Sequence, residues 1–111
     1  LSTDSSLLTA AGNDLGFEMI FARQIEAHGR TGDLLVVIST SGASANCLRA
    51  VEAARARGLA TVGLLGRDGG RLKGMVDVAI VVPSDDTALV QEVQLAIDHQ
   101  VCSVIEKELG R

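Results

Sequence analysis

The sequence predicts an α/β domain, an open, doubly wound parallel sheet flanked by helices. Three observations carry that prediction. Short apolar runs over 34–38, 60–65 and 76–82 alternate with segments of helical periodicity. The breaks between them come from Gly, Asp and Ser, and Pro83 is the only proline. Aromatic residues make up 2% of the chain against 47% hydrophobic residues, so the core is aliphatic and alanine-rich, which suits helices on a sheet. A chain of 111 residues fits one domain with a single modest core.

The elements follow in order. The chain opens at Leu1 without an initiator Met, on the apolar-to-polar transition LSTDSSLLTAAGND, which fits the downstream part of a longer protein. Residues 16–27, GFEMIFARQIEA, place Phe17, Ile20, Phe21, Ile25 and Ala27 along one side and predict a helix. It stops near His28-Gly29, where a histidine favours the local dipole, and GRTGD makes the turn. The run 34–38 is expected as a buried parallel strand. Residues 45–57 form a helix with Ser44 as N-cap, Gly58 just past its end, and Arg55 and Arg57 in its last turn. Its buried stripe is Cys47, Leu48, Val51 and Ala54. A strand over 60–65, the glycine-rich loop GRDGGRLKGMV with one short helical turn, and a strand over 76–82 come next. SDDT then caps a long helix over 87–109, with Val90, Val93, Ile97, Val101, Val104 and Ile105 as its buried stripe.

Composition excludes several function classes. A net charge of −4 argues against non-specific nucleic-acid binding, and the scarcity of aromatics leaves no stacking platform for single strands. No run approaches the ~20 apolar residues of a membrane span, and no signal-peptide pattern opens the chain. Cys47 and Cys102 have no metal-ligand spacing and read as two free thiols of a cytoplasmic protein.

The junction between the strand at 34–38 and the helix at 45–57 reads ISTSGAS. Ser39, Thr40, Ser41 and Ser44 surround Gly42 at the carboxyl end of a strand, where open α/β sheets bind ligands. The following helix offers unpaired amides and a positive dipole end. Hydroxyls donate to phosphate oxygens without adding charge, and glycine lets the backbone approach closely. The loop therefore reads as a cradle for phosphate, or as an ordinary hydroxyl-rich loop capping a helix. It contains neither the Gly-Lys-Ser/Thr of a nucleoside triphosphate loop nor the Gly-x-Gly-x-x-Gly of a dinucleotide loop. A single phosphate monoester, as on a sugar, fits better.

ISTSGAS, the DGG of residues 68–70, the VPSDDT cap and QEV with a later histidine together resemble the sugar isomerase (SIS) domain family. Within it, the chain is most similar to the phosphoheptose isomerases, and LTAAGNDLGFEMIFARQIEA extends the likeness upstream. The resemblance implies a SIS-type, flavodoxin-like fold. It implies that Ser39, Thr40, Ser41 and Ser44 bind the substrate phosphate, and that Asp14 lies near the sugar hydroxyls. Gln91 and His99 would serve the reacting end as catalytic residues or ligands of a zinc ion. The implied reaction is aldose–ketose isomerisation of sedoheptulose 7-phosphate through an enediol, a step suited to histidine, which titrates near neutrality. A homo-oligomer, dimer or tetramer, is also implied, with no nucleic-acid or membrane partner.

Other readings stand beside these. Asp14 after Asn13 is equally a turn or cap residue, His99 equally a buried hydrogen-bonded residue, and Gln91 and Glu92 equally solvated helix surface. Asp68-Gly69-Gly70 is most simply a turn. Gln91 and His99 are eight residues apart, about 12 Å of axial rise, and no other His, Cys or Glu completes a metal set with them. The family pattern includes an upstream helix, a first strand and a second glycine/serine loop, then a helix with a glutamate base and a histidine. None of these is in this sequence, so the fold is expected to be N-terminally incomplete. Ala43 stands where the loop commonly has Asn, and Gln94 where a second His is often found. Competing functions are a non-catalytic relative that associates with a replication initiator, and a phosphosugar-sensing regulatory module.

Overall fold

Two helices come first, where the sequence pattern suggested one. The structure, a computed structural model, describes residues 1–110. Asp4 caps α1 (Ser5–Leu15) by accepting the Leu7 amide at 3.0 Å. Gly16, at φ +91°, ends it, Phe17–Met19 make a single 3-10 turn, and α2 runs Ile20–His28. The helix expected over 16–27 therefore begins only at Ile20. Ile20 and Ile25 are buried, but Phe17 is 68% exposed and Ala27 is exposed too. The turn that follows closes on itself, with the Asp33 amide donating to the Arg30 carbonyl and the Arg30 amide to the Asp33 carboxylate.

Strands β1 (Leu34–Ser39), β2 (Ala60–Gly66) and β3 (Val78–Val82) form a parallel sheet in the order β1-β2-β3. Leu34 pairs with Ala60, and Val62 with Val78. The third strand starts two residues later than expected. The Met75 and Val76 amides both donate to the Leu72 carbonyl, and the Asp77 amide to Thr61, so the chain becomes extended only at Val78.

Between β1 and β2, α3 (Ala45–Ala56) covers one sheet face. Its predicted stripe, Cys47, Leu48, Val51 and Ala54, is buried throughout. Cys47, Leu48 and Val51 pack with Val37, Leu65 and Leu72, while Ala54 joins Ile25 and Leu59 under α2. Such fully buried aliphatic side chains stabilise by about 1.5–3 kcal/mol each.

The opposite face is covered in part. After Pro83, α4 (Thr87–Glu108) crosses it, in contact with β2 and β3. Leu34, Val36 and Ile38 project on this side and are exposed, so β1 is half-buried rather than buried on both faces. The stripe expected along α4 is corrected in the same way. Val90 is buried, Val93 and Ile97 are half-buried, and Val101, Val104 and Ile105 are exposed. Only Val90 and Gln94 of this helix are buried. Among the described residues no helix is long and apolar enough to cross a membrane.

Thr61, 1% exposed at the start of β2, locks the bottom of the sheet. Its hydroxyl donates to the Asp77 carboxylate at 3.1 Å and accepts the Asp77 amide at 2.9 Å, while its own amide donates to the same carboxylate at 2.8 Å. Thr61→Val keeps the shape and removes both hydroxyl bonds, each contributing about 0.5–1.5 kcal/mol, while the Asp77 amide keeps the Thr61 carbonyl at 3.1 Å and the carboxylate keeps the Thr61 amide. The expected loss is about 1–3 kcal/mol in urea unfolding, whereas Thr9→Val on the exposed face of α1 should stay within about 0.5 kcal/mol. Equal effects at both positions would refute the lock.

Candidate functional site

The loop between β1 and α3 gathers three of the four predicted hydroxyls. The buried Ser39 Oγ accepts the Gly42 amide at 3.1 Å and lies 3.4 Å from Ser44 Oγ. Ser44 Oγ is 3.5 Å from Ser41 Oγ, which in turn accepts the Ala43 amide at 3.2 Å. Ser39 is thus the inner hydroxyl that shapes the loop, Ser41 is half-buried and Ser44 is exposed. Thr40, also half-buried, brings its carbonyl against Gly66.

Ser44 occupies the N-cap position of α3, as expected, yet its side chain accepts none of the helix amides. The first turn of α3 therefore keeps its unpaired N–H groups and the positive end of its dipole. At α4 the opposite holds. Asp86 Oδ1 accepts the Ala88 and Leu89 amides at 3.0 and 3.2 Å, so that helix end is already satisfied by a carboxylate. Of the two, the α3 terminus is the one left to stabilise an added anion.

The shape of the hydroxyl loop comes from its own glycine and from two outside it. Gly42 has φ +65°, and a Cβ there would overlap the Gly69 carbonyl. A Cβ on Gly70 would lie 2.6 Å from the Gly42 carbonyl oxygen and 2.7 Å from that of Ser41. The Leu72 amide donates to the Gly42 carbonyl at 3.0 Å, and Asp68 Oδ1 accepts the Gly70 amide at 2.9 Å. The DGG segment turns, as expected, but it is also the wall against which the hydroxyl loop is moulded. Sequence reasoning missed that role. Its one signal was the glycine pair itself, which is unnecessary for a simple turn.

Gly66, the last residue of β2, joins the loop to α4. A Cβ there would stand 2.5 Å from the Thr40 carbonyl oxygen and 2.8 Å from Val90 Cγ1. The first turn of α4 therefore arrives directly over the hydroxyl loop, with Gln91 following Val90 on an exposed position. His99 is exposed two turns further along the same helix, so the reading of it as a buried residue is overturned. Asp14 lies in the last turn of α1, exposed, where its carboxylate accepts the Asn13 side-chain amide at 3.0 Å. Its hydrogen bond is to that neighbour and not to the hydroxyl loop.

Gln91 and His99 supply at most two ligands where a structural zinc takes four and a catalytic zinc three. Among the described residues no group of three or more His, Cys, Asp and Glu could hold a metal. These side chains alone do not make a zinc site. Both cysteines are free, as expected; burial pushes the Cys47 thiol up, which suits a core residue rather than a nucleophile.

The pattern of the SIS domain family matches residues 1–66. The phosphoheptose isomerase of Nitratiruptor sp. is 56% identical over 107 residues, covering 96% of this chain and 57% of that protein. The phosphoheptose isomerase of Pelobacter propionicus is 54% identical, over 98% of this chain and 58% of that protein. Among solved structures, the phosphoheptose isomerase GmhA of Neisseria gonorrhoeae superposes with a TM-score of 0.91 at 48% identity, over 93% of this chain and 59% of that one. A phosphoheptose isomerase of Francisella tularensis gives 0.92 at 42%, over 95% and 59%. The chain thus spans between half and two thirds of the length of the relatives it matches.

Gly66→Ala would force a methyl group between Thr40 and Val90, at an expected cost of about 1–3 kcal/mol. Gly74→Ala, where nothing lies within 4 Å of the added carbon, is the control and should be neutral. Equilibrium denaturation of both variants checks this, and equal midpoints would mean that the two elements are not in contact at Gly66.

Proposed function

Since the chain belongs to the SIS domain family, we propose that it binds the phosphate of sedoheptulose 7-phosphate and serves the isomerisation of that ketose to the aldose, D-glycero-D-manno-heptose 7-phosphate. The single observation that carries the reading is the hydroxyl cluster at the uncapped N-terminus of α3. The phosphate sits there, taking O–H donors from Thr40, Ser41 and Ser44 and amides from the first helical turn. Ser39 adds its own O–H while its oxygen holds the Gly42 amide. Asp14 approaches the sugar hydroxyls in this reading, as the family resemblance implies.

Anchoring one end of a long substrate converts the rest of the reaction into a positioning problem. Gln91 and His99 on α4 serve the reacting end. A proton leaves C1 of the ketose, the electron pair forms the C1–C2 double bond of the enediol, and the C2 oxygen takes a proton. Collapse returns a proton to C2 as the C1 hydroxyl gives up its own, so the sum is a proton relocation with no net redox change. His99 is the residue proposed to carry those protons between carbons and solvent. Zinc, where bound, supplies polarisation of the substrate oxygens and needs ligands beyond Gln91 and His99. The exposed apolar residues of α4, Val101, Val104 and Ile105, support a homo-oligomer, and a biosynthetic phosphosugar as substrate supports a cytoplasmic protein.

Two measurements test the reading. Sedoheptulose 7-phosphate should raise the melting temperature of this chain, because a ligand that binds only the folded state stabilises it. In Ser41→Ala/Ser44→Ala the shift should vanish, each lost hydrogen bond to a dianion weakening binding by about tenfold or more. No shift in the parent sinks the phosphate site. In protein that turns the sugar over, His99→Ala should lower kcat by about 10²–10⁴ while leaving phosphate affinity intact. Unchanged kcat removes His99 from the chemistry.

A further inference from the structure

Gln94 is 4% exposed on α4, in the middle of a predominantly apolar contact with the sheet. Its Nε2 donates to the Leu64 carbonyl of β2 at 2.9 Å. Its Oε1 is also buried and has no hydrogen-bond partner among the described residues. A leucine or methionine would fill the same space without stranding an oxygen, so stability alone does not account for an amide here.

The rest of α4 explains what an amide adds. Val90 and Gln94 are its only buried residues. The Val90 contact with Gly66 is apolar and therefore without direction along or around the helix axis. The Gln94 bond is directional, and among the described residues it is the only side-chain hydrogen bond from α4 to another element. Gln91 and His99 make none of their own there, so their placement follows the helix as a rigid body.

We propose that Gln94 is a positioning residue: its bond to the Leu64 carbonyl fixes the tilt and height of α4, and through them the places of Gln91 and His99 relative to the hydroxyl loop. The proposal rests on the isomerase reading above. The lever is long. His99 lies nine residues beyond Val90, about 13 Å along the axis, so a tilt of about 10° around Val90 moves it by about 2 Å. A misplacement of about 1 Å at a reacting centre can cost about 100-fold in rate. The hydroxyl loop is moulded by Gly69 and Gly70 and has no share in this bond. Binding of phosphate and turnover should therefore respond differently when it is broken.

The experiment compares Gln94→Met with Gln94→His in the full-length protein. Methionine keeps the volume and removes the donor, whereas histidine offers a ring N–H to the same carbonyl. Gln94→Met should lower kcat by about 10–100-fold, with KM and the Kd for inorganic phosphate within about twofold of the parent. Its melting temperature should hold or rise, because the stranded oxygen is gone. Gln94→His should recover kcat to within about threefold. Parental kcat in the methionine variant overturns the proposal. So does equal impairment of both variants, which would make the role one of packing, and so does a joint loss of kcat and phosphate affinity. Hydrogen exchange gives a readout independent of turnover: amides of residues 95–108 should exchange faster in Gln94→Met and recover in Gln94→His. Unchanged exchange overturns the proposal. Absence of turnover in the parent removes the isomerase reading instead, and the exchange data then decide alone whether Gln94 fixes the helix.

Discussion

Main chain lies against main chain where Gly42 meets Gly69 and Gly70, closer than any side chain would permit. The site depends on that contact. β1 and β2 are parallel neighbours, so the loops leaving their carboxyl ends are adjacent, but adjacency alone would let each adopt many shapes. The glycine contact removes that freedom from both at once. Below it, Leu72 is fully buried in the core, and its amide holds the Gly42 carbonyl. The hydroxyl loop is therefore tied through one short turn to the cluster of Val37, Val51 and Leu65, and it is organised before any ligand arrives. Preorganisation of this kind reduces the ordering cost of binding.

The chemistry of the loop follows from what its surroundings leave unsatisfied. Two helices begin at the same end of the sheet. Asp86 neutralises the start of α4 with a carboxylate, while Ser44 leaves the start of α3 open and turns its hydroxyl toward Ser39 and Ser41. An anion is thereby directed to one helix and not the other. No lysine or arginine is needed for that discrimination, in a chain whose net charge is −4. Neutral donors and amides in a moulded loop select an anion by shape as much as by charge.

Much of this was legible in the sequence, and the pattern of what was not is physical. Alternation of apolar runs with helical periodicity located all three strands, α3 and α4, because those signals are local. The hydroxyl-rich junction was legible for the same reason: Ser39 to Ser44 are neighbours in the chain. Helix α1 was hidden because Gly12, Asn13 and Asp14 stand inside it, residues that favour turns over helix interiors, although Leu7, Leu8, Ala11 and Leu15 do lie on one side. The exposed face of β1 was hidden because an uninterrupted apolar run looks the same whether one face or both are covered. Gly66 and Gly70 carry their meaning in long-range contacts with Thr40 and Gly42, which no local pattern reports. Gln94 lies on the stripe of α4, four residues after Val90 and three before Ile97, and only its polar side chain hid its burial; the family likeness marked it as a departure and not as a contact.

The resulting molecule divides its work between a rigid part and a lightly held one. The hydroxyl loop proposed for the phosphate is set into the core by glycines and by a buried leucine. The residues proposed for the reacting end ride on a helix of 22 residues held to this sheet by its first turns. Such a division is coherent for a long, flexible substrate. Binding energy gathered at the remote phosphate is useful only if the other end of the substrate meets groups in a reproducible place. An apolar contact supplies attraction without direction, so a helix fixed by Val90 alone would keep its distance from the sheet and still swing. A directional tether to β2 then matters more than added burial, and it must lie close to Gly66, where the two halves of the site touch. In the proposed role, the stranded oxygen of Gln94 is the cost of placing a hydrogen bond where the first turns of α4 meet β2.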